Sequence, residues 1–201
     1  MSKRPIVLLD VDGPLADFIG GVLPIVQSIT GTLYGHGDVD RFDFCAALGL
    51  DKATTAKVKR TIGATPGFCE SLAVMPGARE GVAAIQRVAD VYCVTSPWNS
   101  NPSWTYEREA WLSKHFGIHH SNVIHTSAKW LVEGDVFVDD KTDAVYGWSA
   151  FHGNGVAIRW NTPHNVHDIR EMTCVPDDDL ICTSDWARVL ELVKGVAHVA
   201  A

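Results

Sequence analysis

The chain predicts an α/β fold with a three-layer parallel sheet, and three observations predict it. Short apolar runs at Ile6-Val7-Leu8-Leu9, Val91-Tyr92-Cys93-Val94 and Val136-Phe137-Val138 are separated by stretches of helical periodicity. Such runs, bounded by turn signals, read as strands buried on both faces, as parallel strands are. Each run also ends in small or acidic polar residues: Asp10/Asp12, Thr95/Ser96 and Asp139/Asp140. Strands alternating with helices imply right-handed crossovers, and parallel strands bring all three polar tips to one edge of the sheet, where ligands bind.

The elements follow in order. After the first strand, Leu15–Ile29 reads as a helix or a pair of helical turns, weakened by Gly20-Gly21 and Pro24. Thr30–Asp40 reads as a loop, and Phe42–Leu50 and Lys52–Ile62 as helices closed by Ala64-Thr65-Pro66-Gly67. This stretch, residues 18–74, reads as an insertion into a core formed by residues 1–17 and 75–201. Met75-Pro76-Gly77 punctuates the return. Ala78–Ala89 is an amphipathic helix with Val82, Ile85 and Val88 on one face. Ser103–Phe116 is a strong helix stopped by Gly117. Asn122–His125 and Val156–Ile158 are further strands. Asp185–Val196 is a closing helix, with Thr183 or Ser184 as its cap.

Composition bounds the function. A length of 201 residues suits one domain, or a core with a modest insertion, and 46% hydrophobic with 20% charged residues is ordinary for a globular protein. A net charge of −7 argues against polymeric nucleic acid as a partner, since such binders need a basic face. A small anionic substrate remains open, because a few local cations suffice. No apolar segment approaches the roughly 20 residues that span a bilayer, so no membrane association is expected. Met1–Pro5 and the brief run after it are too short for a signal peptide. The five cysteines show no Cys-x-x-Cys spacing and suit free thiols in a reducing, cytoplasmic setting. Monomer and homodimer are both left open.

Taken alone, Asp10-Val11-Asp12-Gly13 is also the pattern of calcium loops and ordinary turns. Its place at a strand tip, opposite Asp139-Asp140, makes it more specific. Four carboxylates crowded at one edge repel one another unless a cation joins them, and Mg²⁺ is the hard, oxygen-seeking cation that suits them. The same cation can neutralise a phosphate. Thr95 and Ser96 supply hydroxyl and N–H donors to such a group, and Lys129 is a point charge within reach. Asp10 suits a nucleophile that attacks phosphorus, and Asp12, on the same side of the extended chain, suits the acid/base.

In this order, Asp10-Val11-Asp12-Gly13, Thr95-Ser96, Lys129 and Asp139-Asp140 resemble the motifs of the haloacid dehalogenase superfamily of phosphotransferases. A closer similarity, to the 5'(3')-deoxyribonucleotidases, rests on Asp10 through Phe18, Met75-Pro76-Gly77-Ala78 and Thr95-Ser96-Pro97. It continues through Tyr106-Glu107-x-x-Ala110-Trp111, Lys114-His115-Phe116-Gly117 and Lys129, which stands ten residues before Asp139. The resemblance implies a Rossmann-like core with a small helical cap inserted after the first motif. It also implies Mg²⁺-dependent hydrolysis of (deoxy)nucleoside monophosphates to nucleoside and phosphate through an aspartyl-phosphate. Carried over, Asp10 is nucleophile and metal ligand, and Asp12 is acid/base, with its main-chain carbonyl a metal ligand. Thr95 and Ser96 bind phosphate, Lys129 neutralises it, and Asp139 with Asp140 holds the metal. Phe18 matches a substrate-contacting aromatic, and Phe42 or Phe44 falls near the cap aromatics. Two departures bear on base and sugar preference. Pro14 stands where Thr or Val is usual, and small residues around Gly63 replace the aromatic expected on the cap helix before the Met75 return.

The remaining motifs have plainer readings. His119-His120 and His164-x-x-His167 lack partners at zinc-site spacing and read as exposed loop histidines. The tryptophans, among them Trp98, Trp104, Trp111 and Trp130, read as packing groups, with Trp98 the one beside a motif. Asp177-Asp178-Asp179 reads as a solvated turn, and a supporting role for Lys141 and Asp143 is left open. Alternatives to a nucleotidase are a phosphatase for another small ester such as a sugar phosphate, a non-catalytic nucleotide-binding module, and dehalogenation. The acidic metal cluster disfavours the last.

Overall fold

The computed structural model describes residues 4–165 and 180–199. His167, Cys174 and the Asp177-Asp178-Asp179 run lie outside the described residues. The described elements are, in order, β1 (Ile6–Leu9), α1 (Phe18–Thr30), α2 (Phe44–Ala47), α3 (Lys52–Gly63), α4 (Ala78–Gln86), β2 (Asp90–Thr95), α5 (Trp104–Phe116), β3 (Val123–His125), β4 (Val136–Asp139), α6 (Thr142–Phe151), β5 (Val156–Trp160), β6 (Ile181–Thr183) and α7 (Trp186–Val199).

The strands form one parallel sheet of six in the order β3-β2-β1-β4-β5-β6. Strand β1 is central because its residues are apolar on both faces and can be buried on both. Alternation then divides the interior. Val7 and Leu9 face one side with Val82 and Ile85 of α4, Trp111 and Leu112 of α5, and Val189 and Val193 of α7. Leu8 faces the other, with Val94, Phe137, and Val145 and Trp148 of α6. Helices therefore cover both faces of the sheet.

Register decides which residues share the functional edge. Leu9 pairs with Cys93 on one side and Val138 on the other, so Asp10 stands level with Asp139, and Thr95 ends the neighbouring strand one residue further on. The chain reverses direction of travel across the sheet between β1 and β4, which is the switch point where open α/β sheets hold ligands.

Several elements differ from their sequence-based expectation. One continuous helix spans Phe18–Thr30 with Pro24 inside it, and Asp17 caps its start by accepting the Gly20 N–H at 2.8 Å. The Phe42–Leu50 helix is a single turn, Phe44–Ala47, started by Asp43, which accepts from the Cys45 and Ala46 N–H groups. Asp185, rather than Thr183 or Ser184, supplies the side-chain cap of α7, accepting the Ala187 N–H at 2.8 Å. Thr183 supports it by accepting from the Asp185 N–H. Helix α6 and strand β6 were not anticipated. The buried stripe of α6 is short, with only Val145 and Trp148 as its apolar members, and β6 is too short to show a pattern.

Candidate active site

Asp10 leaves β1 buried, with its Oδ1 accepting from the Val11 N–H at 2.7 Å. Lys129, carried in by the turn Lys129–Leu131, places Nζ 2.8 Å from Asp10 Oδ1 and 2.7 Å from Asp139 Oδ2. Asp139 Oδ1 accepts from the Lys141 N–H. Asp140 Oδ2 meets His164 Nε2 at 2.7 Å, and the Asp140 carbonyl accepts from Asn165 Nδ2 at 2.8 Å. Asp10, Asp139 and Asp140 each offer a carboxylate oxygen, and the three oxygens lie within 4.8 Å of one another. Burial, then the charge of Asp10, pushes Asp139 above the usual carboxylate range against the pull of Lys129. Burial also raises Asp140, with His164 opposing. Burial alone would lower Lys129, but Asp10 and Asp139 outweigh it and hold the ammonium well above its ordinary value.

These residues fit a divalent cation. The donors are all oxygen, the three carboxylates are buried, and their negative charge exceeds that of the single ammonium among them.

The other predicted site residues fall as follows. The Asp12 side chain stands apart from the three clustered carboxylates. Its two oxygens accept from Arg108 Nη2 at 2.8 and 2.9 Å. Burial pushes the Asp12 carboxyl up, Arg108 opposes, and Asp10 adds to the rise. Thr95 Oγ1 is buried at the tip of β2 with no hydrogen-bond partner among the described residues. Ser96 is exposed and donates to the Thr126 carbonyl at 3.4 Å. Phe18 and Phe44 meet edge to face at 6.1 Å. Phe42 is 50% exposed, with its ring 6.1 Å from that of His164 and 5.1 Å from Lys141 Nζ.

A cavity of about 540 Å³ joins these groups, lined by Asp10, Asp12, Ser96, Lys129 and Asp140 and by Phe18, Phe42, Phe44, Trp98 and Trp104. That volume is ordinary for a small-molecule site. A shallower depression of about 640 Å³ lies at the opposite end of the strands, against Arg4, Asp90 and Phe116, and gathers no comparable chemistry.

One expectation is corrected. His164 is not an exposed loop histidine; it is 8% exposed and bonded to Asp140. Trp104 packs, as expected, and its ring also borders the cavity, in a row with Trp98 at 5.9 Å and Phe68 at 5.9 Å. Phe68, between Gly63 and the Met75 return, is buried with its ring 6.0 Å from that of Phe18. Gly63 itself stays small because a Cβ there would press on Ser100, 3.2 Å from its carbonyl oxygen.

Arg108 was missed as well. Its signal was present: it stands four residues after Trp104 and three before Trp111, on the buried stripe of α5. The signal for His164 was the tip of β5, where Asn161-Thr162-Pro163-His164 continues the strand-end logic applied to the other tips.

Neighbouring Glu107 ties α5 to the limb returning from α3. Its carboxylate accepts from the Gly67 N–H at 2.7 Å, the Cys69 N–H at 3.0 Å and the Ser103 hydroxyl. Burial works against its ionised form, but these three donors outweigh it and hold its pKa below the ordinary value. We expect Glu107→Ala to cost about 2–4 kcal/mol in chemical unfolding, because two N–H groups lose a charged acceptor. The folded pKa is depressed, so this stability is present above the unfolded glutamate pKa and fades as pH falls through the folded value. Equal stability of variant and wild type at neutral pH would refute it.

Comparison with known proteins agrees with this geometry. Residues 4–193 match the family model described as "5' nucleotidase, deoxy (Pyrimidine), cytosolic type C protein". The mouse mitochondrial 5'(3')-deoxyribonucleotidase is 29% identical over 171 residues, covering 83% of this chain and 77% of the relative. The human cytosolic-type 5'(3')-deoxyribonucleotidase is 28% identical over 215 residues, covering 98% and 99%. A haloacid dehalogenase-like hydrolase of Streptococcus pneumoniae superposes with a TM-score of 0.61, with 13% identity over 94% of this chain and 98% of that one, which speaks for the fold. The chain is a phosphatase of the haloacid dehalogenase superfamily and belongs to the cytosolic type C 5'-deoxynucleotidase family.

Proposed function

We propose that this enzyme is a Mg²⁺-dependent nucleotidase that hydrolyses (deoxy)nucleoside monophosphates through an aspartyl-phosphate on Asp10. One observation carries this reading: the carboxylates and ammonium of Asp10, Asp140 and Lys129 line the same cavity as Phe18, Phe44, Trp98 and Trp104. Aromatic faces stack on bases at about 1–3 kcal/mol each, whereas a sugar phosphate would leave them facing hydroxyls.

In this reading an Asp10 oxygen attacks phosphorus, the ester P–O bond breaks, and Asp12 gives its proton to the departing nucleoside oxygen. Asp12 then takes a proton from water, whose oxygen attacks the phosphorus of the acyl phosphate, releasing phosphate and freeing Asp10. The upward push of burial on Asp12 suits a group that must hold a proton when the nucleoside departs. Thr95 and Ser96 donate to the phosphate oxygens; the orphaned Thr95 hydroxyl is a donor ready for an anion. Lys129 balances the charge of phosphate and acyl phosphate. Asp10, Asp139, Asp140 and the Asp12 carbonyl would hold Mg²⁺, which supplies neutralisation of the phosphate charge.

The proposal also divides the chain into a core, 1–17 with 75–201, and a cap, 18–74. Both crossings leave the core side by side, with the Asp17 N–H donating to Ala73 at 2.9 Å and the Met75 N–H to Leu15 at 2.8 Å. Such paired links suit a hinge. The free thiols of Cys45, Cys69 and Cys93 suit a cytoplasmic enzyme. The test is phosphate release from a panel of nucleoside 5'- and 3'-monophosphates and sugar phosphates, with Mg²⁺ and with EDTA. Release confined to nucleotides and abolished by EDTA is expected. Release mainly from sugar phosphates, or release indifferent to EDTA, would overturn the substrate or the metal assignment respectively.

A further inference from the structure

The site contains a buried group that the proposed steps do not use. His164, 24 residues beyond Asp140 in sequence, directs Nε2 at Asp140 Oδ2 at 2.7 Å. The turn that carries it, Pro163–Asn165, is itself pinned. Asn165 Nδ2 donates to the Asp140 carbonyl at 2.8 Å and the Trp160 carbonyl at 2.7 Å, and its Oδ1 accepts from the Thr162 N–H at 3.0 Å. Arg159 Nη1 donates to the Asn165 carbonyl at 3.1 Å. The network is buried, so its geometry is not shared with water. Gly13 also lies against Asp140: a Cβ there would press on Oδ2, the oxygen that meets His164, and come within 2.7 Å of Cγ.

We infer that His164 is a positioning residue for Asp140: its Nε2–H holds one carboxylate oxygen so that the other faces the cation shared with Asp10 and Asp139. An ionised carboxylate only accepts, so the shared hydrogen belongs to Nε2. A ligand fixed in advance loses no rotamer freedom when the cation arrives, and partners of this kind typically contribute about 10–100-fold in metal affinity. The inference rests on the proposed cation site. It adds a residue outside the four motifs that sets metal affinity without touching the phosphate.

Two variants separate the hydrogen bond from the packing. H164F keeps a ring beside Phe42 and removes the donor; H164Q loses the ring and keeps an N–H of similar reach. Calorimetric titration with MgCl₂ alone, without substrate, reads affinity independently of turnover. We expect H164F to bind Mg²⁺ about 10–100-fold more weakly than wild type, and H164Q to recover to within a few-fold. Wild-type affinity in H164F, or equal losses in both variants, overturns the inference and leaves the cation site standing. Wild-type protein that takes up no Mg²⁺ overturns both. Independently of any variant, a long-range ¹H–¹⁵N spectrum of the wild-type histidines should show the His164 proton on Nε2, shifted on Mg²⁺ addition. An Nε2 that carries no proton overturns the inference.

Discussion

Asp10→Asn is expected to lower phosphate release at least about a hundredfold, roughly 2.7 kcal/mol of transition-state free energy, in a protein that still folds. An amide oxygen is a poor nucleophile and cannot form the acyl phosphate. The fold should survive because the substitution is nearly isosteric and keeps an oxygen facing the Val11 N–H, now at 2.7 Å. Two electrostatic terms oppose each other. Lys129 loses one carboxylate but keeps Asp139 at 2.7 Å, and Asp139 loses a repulsive neighbour. Their near cancellation should leave the melting temperature within a few degrees of wild type, at about 2–4 °C per kcal/mol for a chain of this size. Activity above one-hundredth of wild type, in purified folded variant, rejects Asp10 as the nucleophile.

Gly13→Ala should be the most damaging change that removes no functional group. Gly13 has φ +95°, a conformation that costs an L-residue about 1–2 kcal/mol. Its new Cβ would lie 2.7 Å from Asp140 Cγ and 3.1 Å from Asp140 Cβ. Asp140 cannot retreat, because His164 holds its side chain and Asn165 its carbonyl. Overpacking of that kind costs about 1–3 kcal/mol more, so a total of about 2–5 kcal/mol is expected in thermal unfolding. The displaced carboxylate should also weaken Mg²⁺ binding and cut phosphate release at least about tenfold. A variant with the wild-type melting temperature and rate would refute the close approach of the two residues.

Much of the functional edge was legible in the sequence because its signals are local. An apolar run followed by Asp, Thr or Ser marks a buried strand and its tip within ten residues of chain. Asp10, Thr95, Asp139 and Asp140 were found that way, and the sheet register sets them side by side. The same logic stopped short at β5. Had the polar residues after Trp160 been read as a fourth tip, His164 would have joined the site. Weakly patterned elements were lost for a different reason. In α6, the buried face Thr142, Val145 and Trp148 has only two apolar members, and its burial is decided by Trp148 packing on Phe137 at 5.4 Å, a contact across 11 residues.

The sequence by itself determined the α/β class, the buried strands, the acidic tips and the order of motifs that marks the family, because hydrophobic periodicity and strand-end chemistry act over a few neighbouring residues. Only the tertiary structure decided the partners of each charged group. Arg108 meets Asp12 across 96 residues, Lys129 bridges Asp10 and Asp139, and His164 meets Asp140 across 24. It also decided that Phe18, Phe68, Trp98 and Trp104 form one aromatic wall. Such pairings depend on strand order and on the angle at which each helix crosses the sheet. A buried charge must find a partner somewhere, but the chain states only the need; the fold supplies the neighbour.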